Sequence, residues 1–366
     1  MTATVGNRTL DEVVAGIAEG WTLPSAAYTD DAVYRLELDR IFDHSWQYVG
    51  HTDRLATPGS YIAERAGRVP VVVVRREDGS LAGYVNVCPH RGHEVVTQDG
   101  CRRSLQCPYH GWTYGLDGSL RAAPRSETEP GFDRTAIRLR AVQVDTWGPL
   151  VFVNPDLAAE PLAVQLGPLP ALAAARGLRL GDHPLRARRT WPLDCNWKVT
   201  LDNNTECYHC ATIHPGFSSG YHVDATNYEV TTFERSFRHR SPPKTGAATD
   251  GSTDFHLYYL WPNFMLSARG NDHYYVYCYR PTGARTTTQV NDYCFGGPRT
   301  DDDVLAEIDL LRALMAEDWS AFASVQRGLE SGALDRGRLL AVEERLLRQF
   351  HTLWGTLLGG APATTS

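Results

Sequence analysis

The sequence has no surplus of basic residues: 36 Lys and Arg stand against 43 Asp and Glu, giving a net charge of -7 and a pI near 6.0. That balance offers no electrostatic footing for nucleic acid or an anionic membrane as the main partner. The opening MTATVGNRTLDEVV lacks a basic start followed by an apolar stretch, and no run reaches the apolar length that crosses a bilayer. The expectation is a soluble, cytoplasmic protein. A G-x-G-x-x-G dinucleotide loop is also missing, so the chain is not expected to draw on NAD(P)H unaided. There is no repeat of fixed period, and the only low-complexity tract is the APATTS tail. Cysteine is sparse, eight in 366 residues, and in a reducing cytosol such residues are more often metal ligands or buried thiols than disulfides.

What is present is ordinary globular composition, 42% hydrophobic and 22% charged, in a chain long enough for two domains. Residues 1 to 43 carry apolar side chains at helical spacing, as in DDAVYRLELDRIF. From 44 to 154 the pattern is β-rich. VPVVVVRREDGSLAGYVNV, residues 69 to 87, places two strand-like runs around an Asp-Gly turn, a hairpin signal. Residues 155 to 190, rich in Ala, Leu and Pro, read as a connector with one helix. Beyond 191 helix and alternating strand are mixed, and a long helix is expected from about 301 to 330. The fold class is α+β: a small all-β domain, then a larger domain with an antiparallel sheet covered by helices.

Two clusters of reactive residues stand out. CPHRGH at 88 to 93 and CPYHGW at 107 to 112 reduce to Cys88-x-His90, a gap of sixteen, and Cys107-x-x-His110. Two cysteines and two histidines can hold one zinc ion. The alternative is that CPHRG with CPYHGW resembles the binding motif of Rieske [2Fe-2S] proteins. By that resemblance Cys88 and Cys107 hold the inner iron, His90 and His110 the outer. Cys101 and His93 fall outside the motif and are read as structural.

The second cluster is ECYHCATIH at 206 to 214. His209 and His214 are five residues apart, which does not place both on one face of a regular helix. Pro215 disfavours helical geometry at His214, so a break there lets both imidazoles converge. Two histidines and a carboxylate make the facial triad of non-haem Fe(II) oxygenases. The carboxylate is offered by Glu317 or Asp318 in LRALMAEDWSAFASVQRGL. At about 100° per residue, Val304, Ile308, Leu311, Leu314, Met315, Phe322 and Val325 form one apolar stripe. Asp318 lies at its centre and Glu317 points away. A carboxylate on a buried face needs a metal or a polar neighbour to offset its desolvation, which favours Asp318; a buried Asp bonded to a neighbour is the other reading. Cys207 and Cys210 bracket His209 and are read as structural, a redox dithiol being the alternative.

The stretch from NWK to HP at 196 to 215, together with the first motif, resembles Rieske non-haem iron oxygenases, large (alpha) subunits. The likeness runs from IFDHSWQYVGH to the late helix, and ECYHC and VQRGL look like the choline, betaine and carnitine monooxygenase branch. It implies an N-terminal helical segment, 1–43, packing on the catalytic domain; a Rieske domain, 44–154; and a helix-grip-like catalytic domain, 155–366. It implies a [2Fe-2S] cluster and a mononuclear Fe(II), and an EC 1.14 type oxidoreductase using O2 to hydroxylate or N-demethylate a small molecule such as a quaternary amine. A ring-hydroxylating dioxygenase or natural-product hydroxylase acting on an aromatic substrate is the alternative. The resemblance further implies a separate reductase or ferredoxin supplying electrons from NAD(P)H, a homotrimer, Asn203 beside the site, and Glu206 bridging His209 to His110 of a neighbouring copy. Asn204 departs from the family, where an apolar or aromatic residue is common. The tyrosines of HLYYLWPNFML and HYYVYCYR either cover the sheet or cage a cationic head group. The histidines at 222, 239, 256 and 273 carry no motif. An electron carrier without catalysis and a zinc-binding interaction protein are the rival readings.

Overall fold

Four consecutive valines, Val71–Val74, organise the smaller of two compact units, Phe42–Val164, and all four are wholly buried. Successive strand residues face opposite ways. Val72 and Val74 therefore enter a core with Tyr61, Tyr84, Cys88, Cys107 and Tyr114, while Val71 and Val73 enter another with Val49, Ile62, Val151 and Val153. One face of this strand thus backs the cysteines of the first motif. The computed structural model describes residues 4–244 and 254–359, so the APATTS tail lies outside the described residues. The valine strand, Val69–Arg75, is interior to a seven-stranded antiparallel sheet in the order Gln47–His51, Leu150–Asn154, Ala141–Trp147, Leu81–Val85, Val69–Arg75, Ser60–Ala66, Gly100–Cys101. Its hairpin partner is Leu81–Val85, joined through the Asp78-Gly79 turn, where Asp78 Oδ1 accepts from the Ser80 amide at 2.9 Å. A second sheet has three strands, Leu120–Ala122, Thr113–Gly115 and Ser104–Gln106.

The other unit joins the residues up to Ile41 with those from Gln165 onward. Its sheet also has seven antiparallel strands, in the order Leu185–Leu193, Thr286–Phe295, His273–Gly283, Phe264–Ala268, Phe255–Leu260, Ser236–Ser241, Glu229–Thr232. Its first and last strands in sequence are neighbours, so the helices that follow each of them, Trp197–Asn204 and Asp301–Glu330, come together.

The long helix starts at Thr300 with a capping box to Asp303 and three aspartates in its first turn, which suit the positive end of the helix dipole. Val304 and Ile308 pack on Tyr275, Tyr293 and Phe295. The expected apolar stripe fails at its far end: Val325 is exposed and Gln326 is buried. There the helix meets polar backbone instead of sheet, and Gln326 accepts from the Asn196 amide at 2.9 Å. The stretch from 155 to 190 holds two short helices, Leu162–Leu166 and Leu169–Ala175, where one was expected, because Gly167 and Pro168 interrupt them.

A buried polar network ties three helices together. Glu37, on Asp31–Arg40, accepts from Lys198 Nζ, from Trp197 Nε1 at 2.9 Å and from Trp354 Nε1 at 2.7 Å. Lys198 also lies over the rings of Tyr28, Trp197 and Trp354. A buried ion pair survives only when its remaining polar atoms are satisfied in this way. One turn later Asp202 accepts from the Tyr28 hydroxyl at 2.6 Å and meets His351 Nε2 at 3.0 Å. The helix carrying Asp202 and Asn203 is anchored at both ends of this network.

Candidate active site

The second motif breaks where the sequence demands. His209 caps the short helix Cys210–Ile213, and His214 leaves helical geometry at φ -117°, ψ 66° before Pro215 starts the helix Pro215–Gly220. The break turns the two rings toward each other, 5.3 Å between centroids. Asp318 Oδ1, from the long helix, stands 2.9 Å from His214 Nε2 and 3.7 Å from His209 Nε2. All three ligand atoms lie within 4.8 Å of one another, and among the described residues this is the only such group of three or more His, Cys, Asp or Glu side chains.

Carboxylates behind the rings set their orientation. Glu206 Oε1 holds His209 Nδ1 at 2.5 Å while its Oε2 accepts from the His209 amide at 3.1 Å. Glu317 Oε2 holds His214 Nδ1 at 2.7 Å. With each Nδ1 engaged, each Nε2 lone pair is left facing Asp318, the arrangement a metal needs. Burial pushes His214 toward its neutral form, but Asp318 and then Glu317 more than reverse this and raise its pKa. Asn203 Nδ2 donates to Asp318 Oδ1 at 3.3 Å. Periodicity places Glu317 away from the buried stripe, and indeed its side chain is 44% exposed; it still reaches His214 from that flank. Sequence reasoning missed this partnership, since a helical wheel carries no information about a loop residue arriving from elsewhere.

Cys207 and Cys210 are buried free thiols packed with Ala225 and Tyr228. The burial of Cys210 and its bond to Cys207 push its pKa far up, which is the opposite of a reactive thiolate.

The first motif forms two loops with one backbone pattern. Cys88 N donates to His93 O and Gly92 N to Cys88 O; Cys107 N donates to Trp112 O and Gly111 N to Cys107 O. Gly92 and Gly111, at φ +78° and +72°, close the two loops in the left-handed region that favours glycine. Both thiols are 2% exposed, while His90 and His110 sit at the surface with ring centroids 4.6 Å apart. Trp112 stacks on His90, and the Tyr114 hydroxyl lies 3.0 Å from Cys88 Sγ. Tyr114 was not singled out in the sequence, although its place two residues after the Gly-Trp pair puts it on the strand beneath the loop. Inner sulfurs and outer imidazoles suit a diiron cluster with unlike ends. Cys101 is exposed on an edge strand, and His93 bonds Glu94 O.

A cavity of about 490 Å³ opens on His209, His214 and Asp318. Tyr275, Tyr277 and Tyr279 line it from alternate positions of one strand, with Phe217, Tyr221 and Phe255 also on its wall. Tyr274, one residue before them, is buried on the opposite face. The tyrosine-rich strand thus both covers the sheet and lines the cavity. His239 and His273, which carry no motif, line it too.

These features define a protein with a Rieske-type module and a two-histidine, one-carboxylate centre, and comparison with known proteins agrees. The Rieske [2Fe-2S] domain family matches residues 45–143, and the ring hydroxylating alpha subunit (catalytic domain) family matches residues 182–360. The chain is 34% identical to the carnitine monooxygenase oxygenase subunit of Acinetobacter baumannii, covering 89% of this chain and 90% of that protein. It is 34% identical to the chloroplastic choline monooxygenase of Arabidopsis thaliana, covering 91% and 82%. A crystal structure of a quaternary ammonium Rieske monooxygenase in complex with L-carnitine superposes with a TM-score of 0.83 at 31% identity, over 95% of this chain and 98% of that one. The chain belongs to the Rieske non-haem iron oxygenase alpha subunits, enzymes of the EC 1.14 class with a [2Fe-2S] cluster and a catalytic non-haem iron. Among the described residues no helix is long and apolar enough to cross a membrane.

Proposed function

We propose that this chain is the oxygenase component of a multi-component system that oxidises a quaternary ammonium compound at a carbon bonded to nitrogen, by hydroxylation or oxidative N-demethylation. The observation that carries this is the cavity itself: walled by Tyr275, Tyr277 and Tyr279 and opening on the His209, His214, Asp318 triad. Aromatic faces attract a permanent cation that cannot donate hydrogen bonds. The names of the relatives, carnitine and choline monooxygenases, are consistent with this chemistry.

In this reading Cys88, Cys107, His90 and His110 hold the [2Fe-2S] cluster, and His209, His214 and Asp318 hold the mononuclear iron. When bound, these groups supply single electrons and the activation of O2. The chain's own task is to present two neutral imidazoles and one carboxylate, to exclude water behind tyrosines and to hold one C-H bond in place. As the family resemblance implies, Glu206, held on His209, bridges to His110 of a neighbouring copy; a heterologous contact that closes on itself makes a ring, and the family's form is a trimer. Asn203 steadies Asp318. Electrons come from a separate NAD(P)H-dependent reductase, with or without a ferredoxin. None of the eight cysteines is in a disulfide, which suits a reducing compartment such as the cytoplasm.

The test is coupled O2 uptake with a surrogate reductase, scored against carnitine, γ-butyrobetaine, choline and aromatic acids with product analysis. Turnover of the aromatic acids alone sinks the quaternary ammonium reading. The aromatic alternative is supported only by the apolar part of the wall.

A further inference from the structure

The cavity has two chemically unlike ends. At the triad end, buried Tyr279 and half-buried Tyr277 feel the charge of Asp318, and Tyr277, midway along, also that of Glu307. At the other end Tyr275 donates to Glu307 Oε1 at 2.8 Å, and Tyr275 and His273 feel both Glu307 and Arg269. Two elements span the ends. Tyr279 to Tyr275 covers about 13 Å of strand at ~3.3 Å per residue. Glu307 to Asp318 covers about 16 Å of helix at ~1.5 Å per residue.

Arg269 is the single Lys or Arg among the described residues lining this cavity. It follows the strand Phe264–Ala268 in a turn held from outside. Arg176 donates to Ala268 O at 3.4 Å and to Gly270 O at 2.9 Å, the carbonyls on either side of Arg269, and Asn271 Nδ2 donates to Arg176 O at 3.0 Å. Burial raises the pKa of Tyr221, and the adjacent Arg269 counters that rise, which places the guanidinium beside the Tyr221 ring that stacks on Phe217.

We propose that Arg269 binds the carboxylate of a zwitterionic quaternary ammonium substrate, making the enzyme selective for betaine-type acids over amino alcohols such as choline. This rests on the quaternary ammonium reading of the cavity. Oxidation beside nitrogen puts the ammonium end next to His209, His214 and Asp318. A carboxylate at that end would compete as a metal ligand, so it has to point away, and Arg269 is the cation it meets there. A guanidinium offers two parallel donors that match the two oxygens. Glu307, bonded to Tyr275, penalises a carboxylate that is not paired with Arg269, which sharpens the choice.

The test is anaerobic calorimetry on the iron-loaded full chain with γ-butyrobetaine and with its methyl ester, which keeps the cation and length but removes the negative charge. The parent is expected to bind the acid about 10- to 100-fold more tightly than the ester, the range of a charge-assisted hydrogen-bond pair. Arg269→Gln removes that preference by weakening the acid alone, and Arg269→Lys restores part of it. Arg269 is exposed, and unchanged ester binding shows that the variant is folded. A parent without preference, or a variant that loses both ligands equally or neither, overturns the assignment of Arg269 and leaves the quaternary ammonium reading standing. A parent that binds neither compound nor choline overturns both.

Discussion

Removing the carboxylate behind His214 tests whether the geometry around the triad sets metal affinity. In Glu317→Ala, His214 loses an acceptor 2.7 Å from Nδ1 on a side chain that is 44% exposed. A charge-assisted hydrogen bond contributes about 1.5–3 kcal/mol when shielded from water. Roughly halving that for solvent screening leaves about 0.8–1.5 kcal/mol. At ~1.4 kcal/mol per decade this is about a three- to twelve-fold loss of ferrous ion affinity, at or below the low end of what outer partners of metal ligands contribute. Glu317→Gln keeps an acceptor without the charge and should lose only about two-fold on the same scale. The assay is an anaerobic competition titration of Fe(II) against a chelator at fixed pH, with cluster absorbance as the control for integrity. Affinity in Glu317→Ala within two-fold of the parent would refute the idea that this carboxylate orients His214.

Four other outcomes are expected. Asp318→Ala should strip the mononuclear iron and leave the cluster, so iron and sulfide analysis should change from three irons and two sulfides per chain to two of each; retention of the third iron points to a different ligand. Glu206→Gln should assemble both centres yet show sharply slower oxidation of the reduced cluster in single-turnover experiments, and normal turnover would disprove its bridging role. Tyr114→Phe deletes a hydroxyl 3.0 Å from Cys88 Sγ and should lower the cluster's reduction potential in an EPR-monitored titration; an unmoved potential excludes that bond from tuning the cluster. Burial lowers His239 from 6.5 to about 4. Between those values the unfolded chain takes up a proton that the folded chain refuses, so stability falls as pH drops through the window, by about 2 kcal/mol from pH 7 to 5. His239→Gln should lose that part of the slope in denaturant titrations at the two pH values, and an unchanged slope refutes it.

The parts of this site that were legible from residues alone are those whose information is local. C-x-H and C-x-x-H-G-W are each contained in one tight loop, and the glycine at the end of each loop has the positive φ that its position requires. The break at His214 was readable because proline restricts its predecessor through contacts between adjacent residues. Asp318 was readable because a thirty-residue helix keeps its phase over several turns. The same reasoning failed at Val325 and Gln326, where the helix leaves the sheet and meets the Asn196 backbone.

Glu317, Tyr114 and the Lys198–Glu37 pair were invisible for a different reason: each acts through a partner brought from a distant part of the chain. The amino-acid order determined the two ligand motifs, the strand and helix periods and the α+β class, since these depend on neighbours a few residues apart. The tertiary structure alone decided that Glu317, on the flank of the long helix, supports His214. It also decided that three alternating tyrosines line a cavity, and that Arg269 and Glu307 stand at its far end. Those choices depend on how a sheet and a helix from separate stretches pack, and packing between distant segments leaves no periodic trace in either of them.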